Sequence, residues 1–200
     1  RFFEPVLRGN SFYFGRRLHH KVLVADAQIA LVAGVNISNK YNDMPGEPAW
    51  LDWAIQVEGE SATELYKICV GLWVKFPAEV NRIISAEKLP VIDPLWNCPV
   101  RVRRNDWVTR KNEISRSYLE MFNKANNEII IMSSYFLPGR VFRKRLARAV
   151  KRGVKIKLIL AGASDVMVSK QAERYMYRWL FRNGIEIHEY PHNILHGKLA

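Results

Sequence analysis

From Asn112 to Tyr190 the chain passes three times from helical spacing to a short β-rich run, and few architectures accept that alternation. Helical spacing covers Asn112–Ala125, where Ile114, Tyr118, Phe122 and Ala125 share one face, then Val141–Arg152 and Ser169–Asn183. The runs Glu128–Ser134 (EIIIMSS), Val154–Leu160 and Ile185–Tyr190 read as strands, with a further strand expected near Val100–Arg104. Gly153 and Gly184 stand where helices stop, since glycine enters the left-handed region without a Cβ penalty. A parallel neighbour needs a crossover long enough to hold a helix, so this order predicts an α/β layered domain with a largely parallel sheet.

The first part of the chain reads differently. Lys21–Val35 holds two apolar runs around a polar turn at Asp26–Gln28, which predicts a strand hairpin. Ala54–Glu58 alternates as another strand and ends at Gly59. Ala62–Phe76 spaces Leu65, Cys69, Leu72, Trp73 and Phe76 as a helix face, closed by Pro77. Lys88–Pro99 carries three prolines in twelve residues, which helices avoid. The expected division is therefore a first domain at 1–88, a linker at 89–99 and a second domain at 100–200.

Hydrophobic residues make up 48% of the 200, which excludes a disordered chain. Lys and Arg number 31 against 19 Asp and Glu, a formal charge of +12 that calls for an anionic partner such as nucleic acid, a phosphate ester or an acidic membrane surface. Two cysteines, Cys69 and Cys98, support neither a disulfide framework nor a thiolate zinc site. The longest apolar stretch, Val22 to Val35, is broken by Asp26 and Gln28 and is too short to span a bilayer. The chain opens on Arg1 and closes on a strand-like His196-Gly-Lys-Leu-Ala200, so an internal piece of a longer protein is expected.

Chemistry concentrates in two places. His19-His20-Lys21-Val-Leu-Val-Ala-Asp26 is a His-x-Lys-x4-Asp pattern that continues into Ala33-Gly34-Val35-Asn36, and His196-Gly197-Lys198 repeats its core. At this composition the full pattern arises by chance about 0.01 times, and His-x-Lys alone about 0.3 times. On a strand, residues two apart share a face, so His19 and Lys21 project together while His20 turns away. An imidazole titrates near neutrality and serves as nucleophile or proton carrier; an ammonium beside it holds phosphoryl oxygens and stabilises charge built up in transfer. The amide of Asn36 can donate to the same oxygens. Asp26 lies an odd number of positions from His19 and should instead turn the chain or pair with a buried charge. Asp52, between Trp50 and Trp53, is a candidate to accept from an active-site imidazole.

These residues resemble the phospholipase D superfamily, defined by two His-x-Lys-x4-Asp motifs, each followed by Gly-Gly-x-Asn. Ala33 replaces the first glycine here, and the second motif runs only to Ala200. Within the superfamily the chain looks most like bacterial cardiolipin synthases, through Phe2-Phe3-Glu4-Pro5, Asn36–Tyr41, Trp50–Trp53, Val57–Gly59, Ser134–Gly139, Arg152–Val154 and Gly184–Tyr190. The resemblance implies a pseudo-dimer of α/β/α sandwich domains with one active site between them. His19, Lys21, Asp26, His196 and Lys198 would be its catalytic residues, with Lys21, Asn36 and Lys198 binding phosphate and Asp52 orienting a ring. It further implies a phosphatidyl group moved through phosphohistidine onto phosphatidylglycerol, without metal or other cofactor. His19 as nucleophile and His196 as acid and base is the favoured assignment, the reverse the alternative.

The implied partners are anionic phospholipid and a bacterial membrane surface, on its cytoplasmic face, rather than nucleic acid. A phospholipase D-type hydrolase and a nucleic-acid phosphodiesterase are the rival activities, the latter also suited by the charge. Nine basic residues and no acidic one lie between Arg140 and Lys157, either an ordinary solvated face or a membrane-facing one. Tyr135, Phe136 and Leu137 either line an acyl entrance or pack a strand end. His188 and His192 lack a lysine partner and read as surface or packing residues.

Overall fold

The computed structural model describes residues 7–8, 11–12, 18–73, 98–106 and 111–200. The linker expected at 89–99 falls almost wholly outside them, as do Phe76 and Pro77. Two-residue strands β1 (Leu7–Arg8) and β2 (Ser11–Phe12) pair antiparallel. Then β3 (Val22–Ala25), β4 (Ile29–Ala33) and β5 (Ala54–Glu58) form an antiparallel sheet in that order. The three residues Asp26–Gln28 reverse the chain between the paired Ala25 and Ile29: Asp26 and Ala27 take positive φ, 51° and 55°, and the Gln28 amide donates to Ala25 O at 3.0 Å. Asp is among the few residues that enter this region readily.

Helix α1 (Glu60–Trp73) packs across all three strands. Alternation sends Val22, Val24, Ala30 and Val57 toward it, around the buried Ala62 and Leu65. Leu23, Ile29 and Leu31 lie on the opposite face and are exposed.

The second half is the layered domain. After the short pair β6 (Asn105–Asp106) and β7 (Lys111–Asn112) come α2 (Glu113–Lys124), β8 (Glu128–Ser133), α3 (Arg140–Lys151), β9 (Lys155–Ala163), α4 (Met167–Arg182), β10 (Glu186–Ile194) and β11 (Lys198–Leu199). The sheet order is β10-β9-β8-β11, with β8, β9 and β10 parallel and β11 reversed against β8. Its core joins Phe122, Ile131, Leu146, Ile156, Leu158, Leu160, Leu180 and Ile185. Each such side chain contributes about 1.5–3 kcal/mol by leaving water.

The α/β expectation therefore holds, with the parallel pairing confined to the second half among the described strands. One strand was misplaced. Val100–Arg104 is not part of any ladder. Its alternation instead seats Val102 in the α1 cluster, while the Arg104 amide donates to Glu113 Oε2 at 3.0 Å. Gly153 and Gly184 do follow α3 and α4, at φ of 92° and 68°.

Part of the basic run is structural. Arg152 donates to the carbonyls of Phe122 and Ala125 at 2.7 and 3.1 Å, closing the end of α2. Arg145 holds Asn123, and Arg143 stacks on Trp179.

A buried ion pair ties α4 to the sheet. Lys170 Nζ donates to Glu173 Oε1 at 2.9 Å, to Glu189 Oε1 at 2.8 Å and to the carbonyl of Ala161. Burial alone would push this ammonium down, but bonds to Glu189, Glu173 and Tyr177 outweigh it and raise it. Glu173, 1% exposed, spends its second oxygen on the Phe136 amide at 2.8 Å.

Candidate active site

The two His-x-Lys segments take the same local form. Each lies just before or at the start of a strand, and each lysine curls back on its own histidine's carbonyl: Lys21 Nζ donates to His19 O at 3.3 Å, Lys198 Nζ to His196 O at 3.0 Å. Lys21 Nζ also lies 3.4 Å from His19 Nδ1, so the two side chains share a face as period-two spacing requires. His20 is exposed.

The halves are stitched at this point by backbone. Leu51 bridges Leu195 in parallel, its amide donating to Ile194 O at 2.9 Å, and its carbonyl accepts from His196 and Gly197 at 2.8 and 3.1 Å. Asn193 donates to Ala49 O at 2.7 Å, and Trp53 Nε1 reaches Met132 Sδ at 3.3 Å. This seam carries Asp52 to His196, whose Nδ1 lies 2.7 Å from Asp52 Oδ2. The Asp52 side chain is 2% exposed and an ionised carboxylate only accepts, so Nδ1 carries the proton and donates. Nε2 is left as the other working nitrogen.

Around the His196 ring stand Tyr41, with its hydroxyl 3.2 Å from Nδ1, and Trp50, with ring centres 5.9 Å apart. Lys40 lies over the Trp50 ring at 4.4 Å.

His19 feels the charges of both pairs. Its pKa is pushed down, first by Lys21, then by desolvation, then by Lys198 and His196, against its own backbone carbonyl. A base surrounded by ammonium groups stays neutral to lower pH and keeps its lone pair. Lys198 is in turn pushed down by burial and by Lys21, with Asp52 and Asp165 opposing. Removing the largest cause reverses the first shift: in the full-length protein, Lys21→Met should move the His19 ring titration upward, toward 6.5, by NMR. An unchanged or lower midpoint would remove Lys21 as the cause.

The other sequence candidates separate. Asn36 is exposed in the loop after β4. Asp26 lies apart from the two pairs. It occupies the exposed hairpin turn at the far end of β3, about 16 Å along an extended strand from Lys21, because its left-handed φ is what reverses the chain. It is not gathered with the imidazoles. His188 is exposed and lies 3.6 Å from Glu186, and His192 packs on Tyr190. Among the described residues no group of three or more His, Cys, Asp or Glu side chains assembles as a metal cage, and no helix is long and apolar enough to cross a membrane.

The sequence model of the family described as "Cardiolipin synthase, PLD-like domain" matches residues 118–200. Cardiolipin synthase B of Escherichia coli K12 is 31% identical over 208 aligned residues, spanning 98% of this chain and 48% of that protein. Residues 118–200 are thus similar to the PLD-like domain of cardiolipin synthases, and nearly the whole chain is similar to part of cardiolipin synthase B.

The probable cardiolipin synthase YwiE of Bacillus subtilis strain 168 is 26% identical, over 98% of this chain and 39% of the relative. The chain thus spans about half the length of the curated relatives it matches. A solved phosphatidylserine synthase of Haemophilus influenzae Rd KW20 shares the fold, with a TM-score of 0.56 at 14% identity, over 90% of this chain and 50% of the other.

Two contacts around the site were not read from sequence, although both residues were named there. Tyr135 donates to Asp165 Oδ1, and its hydroxyl pKa is pushed up to about 12 by burial and by that carboxylate. Both follow the carboxyl ends of parallel strands, β8 and β9, where α/β sheets gather ligands, and that position was the available signal. Gly34 is the other. A Cβ there would stand 2.3 Å from Asp52 Oδ1. Gly34→Ala should displace Asp52 from His196 and lower turnover by roughly tenfold to a hundredfold, the usual cost of misplacing a catalytic group by about 1 Å. Wild-type turnover in that variant would show that the carboxylate has room to yield.

Proposed function

We propose that this chain is part of a phosphatidyltransferase of the cardiolipin synthase type. The observation that carries the proposal is the seam that joins His196 of one half to Asp52 of the other, within charge reach of the His19–Lys21 pair. His19, kept neutral by its cationic neighbours, attacks phosphorus with an imidazole nitrogen. The P–O bond to the departing alcohol breaks, and His196 Nε2–H delivers a proton to its oxygen. A phosphatidyl-histidine and a free alcohol result.

In the second half-reaction the glycerol hydroxyl of a phosphatidylglycerol enters. His196 Nε2, now unprotonated, takes its proton as the oxygen attacks phosphorus, and the P–N bond breaks to free His19. With phosphatidylglycerol as donor too, the products are cardiolipin and glycerol. Lys21 and Lys198 hold the non-bridging oxygens as charge builds, and the Asn36 amide donates to the same oxygens. Asp26 has no part in these steps. The bacterial relatives and the +12 charge support an anionic membrane surface as the workplace.

The test is incubation of the full-length protein with radiolabelled phosphatidylglycerol vesicles, followed by lipid chromatography. Labelled cardiolipin is expected. Phosphatidic acid alone would make the enzyme a hydrolase, and cleavage of single-stranded DNA without lipid turnover would overturn the lipid reading.

A further inference from the structure

Beside Lys198 the second half opens a cavity of about 350 Å³ between β8, α2 and α3. Tyr118, Phe122 and Phe142 form its floor, stacked edge-on or tilted with centres 5.5–6.1 Å apart. Phe136 and Leu137 form a wall, and Lys198 closes the end nearest His196. An aromatic hollow whose one cationic wall is a phosphate-holding lysine fits one kind of ligand: an anion with a hydrocarbon chain attached close to it. We propose that this cavity takes one acyl chain of the phospholipid whose phosphodiester lies at Lys198. The inference rests on the lipid reading above and adds the place of the chain.

Size supports a single occupant. Ligand sites run from about 300 to 1,000 Å³, so this one, at the lower end, accepts part of one chain and leaves the second in the bilayer. The wall is also built in advance. Phe136 is 8% exposed, and its amide is held by Glu173, which is itself fixed by Lys170 on the far side of the strand end. That bond fixes the Phe136 backbone where its ring walls the cavity. Leu137, half exposed at the rim, is the residue a chain passes on its way in.

Phosphatidylglycerol with a photoreactive diazirine at the end of one acyl chain, mixed with the full-length enzyme and irradiated, reads the position directly. Adducts are expected on the tryptic peptides 117–124 and 125–140. Labelling spread over the surface, without enrichment there, overturns the proposal. Leu137→Trp narrows the rim. It should cut both those adducts and the ratio of kcat/KM for long-chain over short-chain phosphatidylglycerol, the latter about tenfold, as two methylenes returned to water would do. An unchanged ratio with unchanged adducts also overturns it. Cardiolipin production by the wild-type protein, with label elsewhere, sinks the cavity assignment alone. Label in the cavity with no lipid transfer sinks the transferase reading and leaves the cavity standing.

Discussion

Asp52→Asn should lower kcat for lipid transfer by about 10²–10⁴, the range that general acid–base catalysis supplies, while KM stays nearly constant. Asp52 touches no substrate; it acts through His196. Its carboxylate accepts the Nδ1 proton at 2.7 Å, which fixes the tautomer and leaves Nε2 for proton transfer. An asparagine of the same shape can turn its NH₂ toward Nδ1 and select the opposite tautomer, with the proton on Nε2 and no acceptor there for the incoming hydroxyl. A role confined to stability would lower the folded fraction and leave kcat per folded enzyme alone. The two cases separate in ring-nitrogen NMR of His196, where the tautomer change is expected to accompany the loss. Turnover within threefold of wild type, with the Nδ1–H form retained, would falsify the assignment.

The alternation after Asn112 made the second half legible because each helix and strand there obeys its local rule: apolar period, glycine stop, β-branched run. Val100–Arg104 obeyed the strand rule too and failed, since a strand needs a neighbour and Val102 found the α1 cluster instead. The His-x-Lys spacing foretold that each lysine would share a face with its histidine, which local geometry alone settles. Asp52 was legible only as a carboxylate between tryptophans. Its partner depends on Leu51 docking beside Leu195, a long-range bridge that no local pattern encodes. Tyr41 was hidden for the same reason: its contact with His196 exists only once the seam has closed. Asp26 shows the converse case. The motif that contains it includes it with the chemistry, whereas its odd spacing and its fitness for positive φ both pointed to the turn.

The buried pair in α4 gives the largest expected change in stability. Glu173→Leu leaves Lys170 with one carboxylate partner, Glu189, in a site where the lysine side chain is 8% exposed. Losing one charge-assisted bond to Lys170, which keeps Glu189, and leaving the buried Phe136 amide without its acceptor together cost about 3–5 kcal/mol. A Tm lower by several degrees is expected. Replacing both partners, Lys170→Met with Glu173→Leu, removes the under-paired ammonium and should recover part of the loss, since apolar groups of similar volume often match a buried pair in stability. Lys170→Met with Glu173→Gln goes further, because the glutamine oxygen can still accept from Phe136. The order of melting temperatures is therefore wild type, then Met/Gln, then Met/Leu, then Leu alone. Thermal unfolding of the four full-length proteins checks it. Glu173→Leu melting above the Met/Leu double variant would mean that the under-paired ammonium escapes to water, and that the pair's grip on the Phe136 segment is weaker than its distances imply.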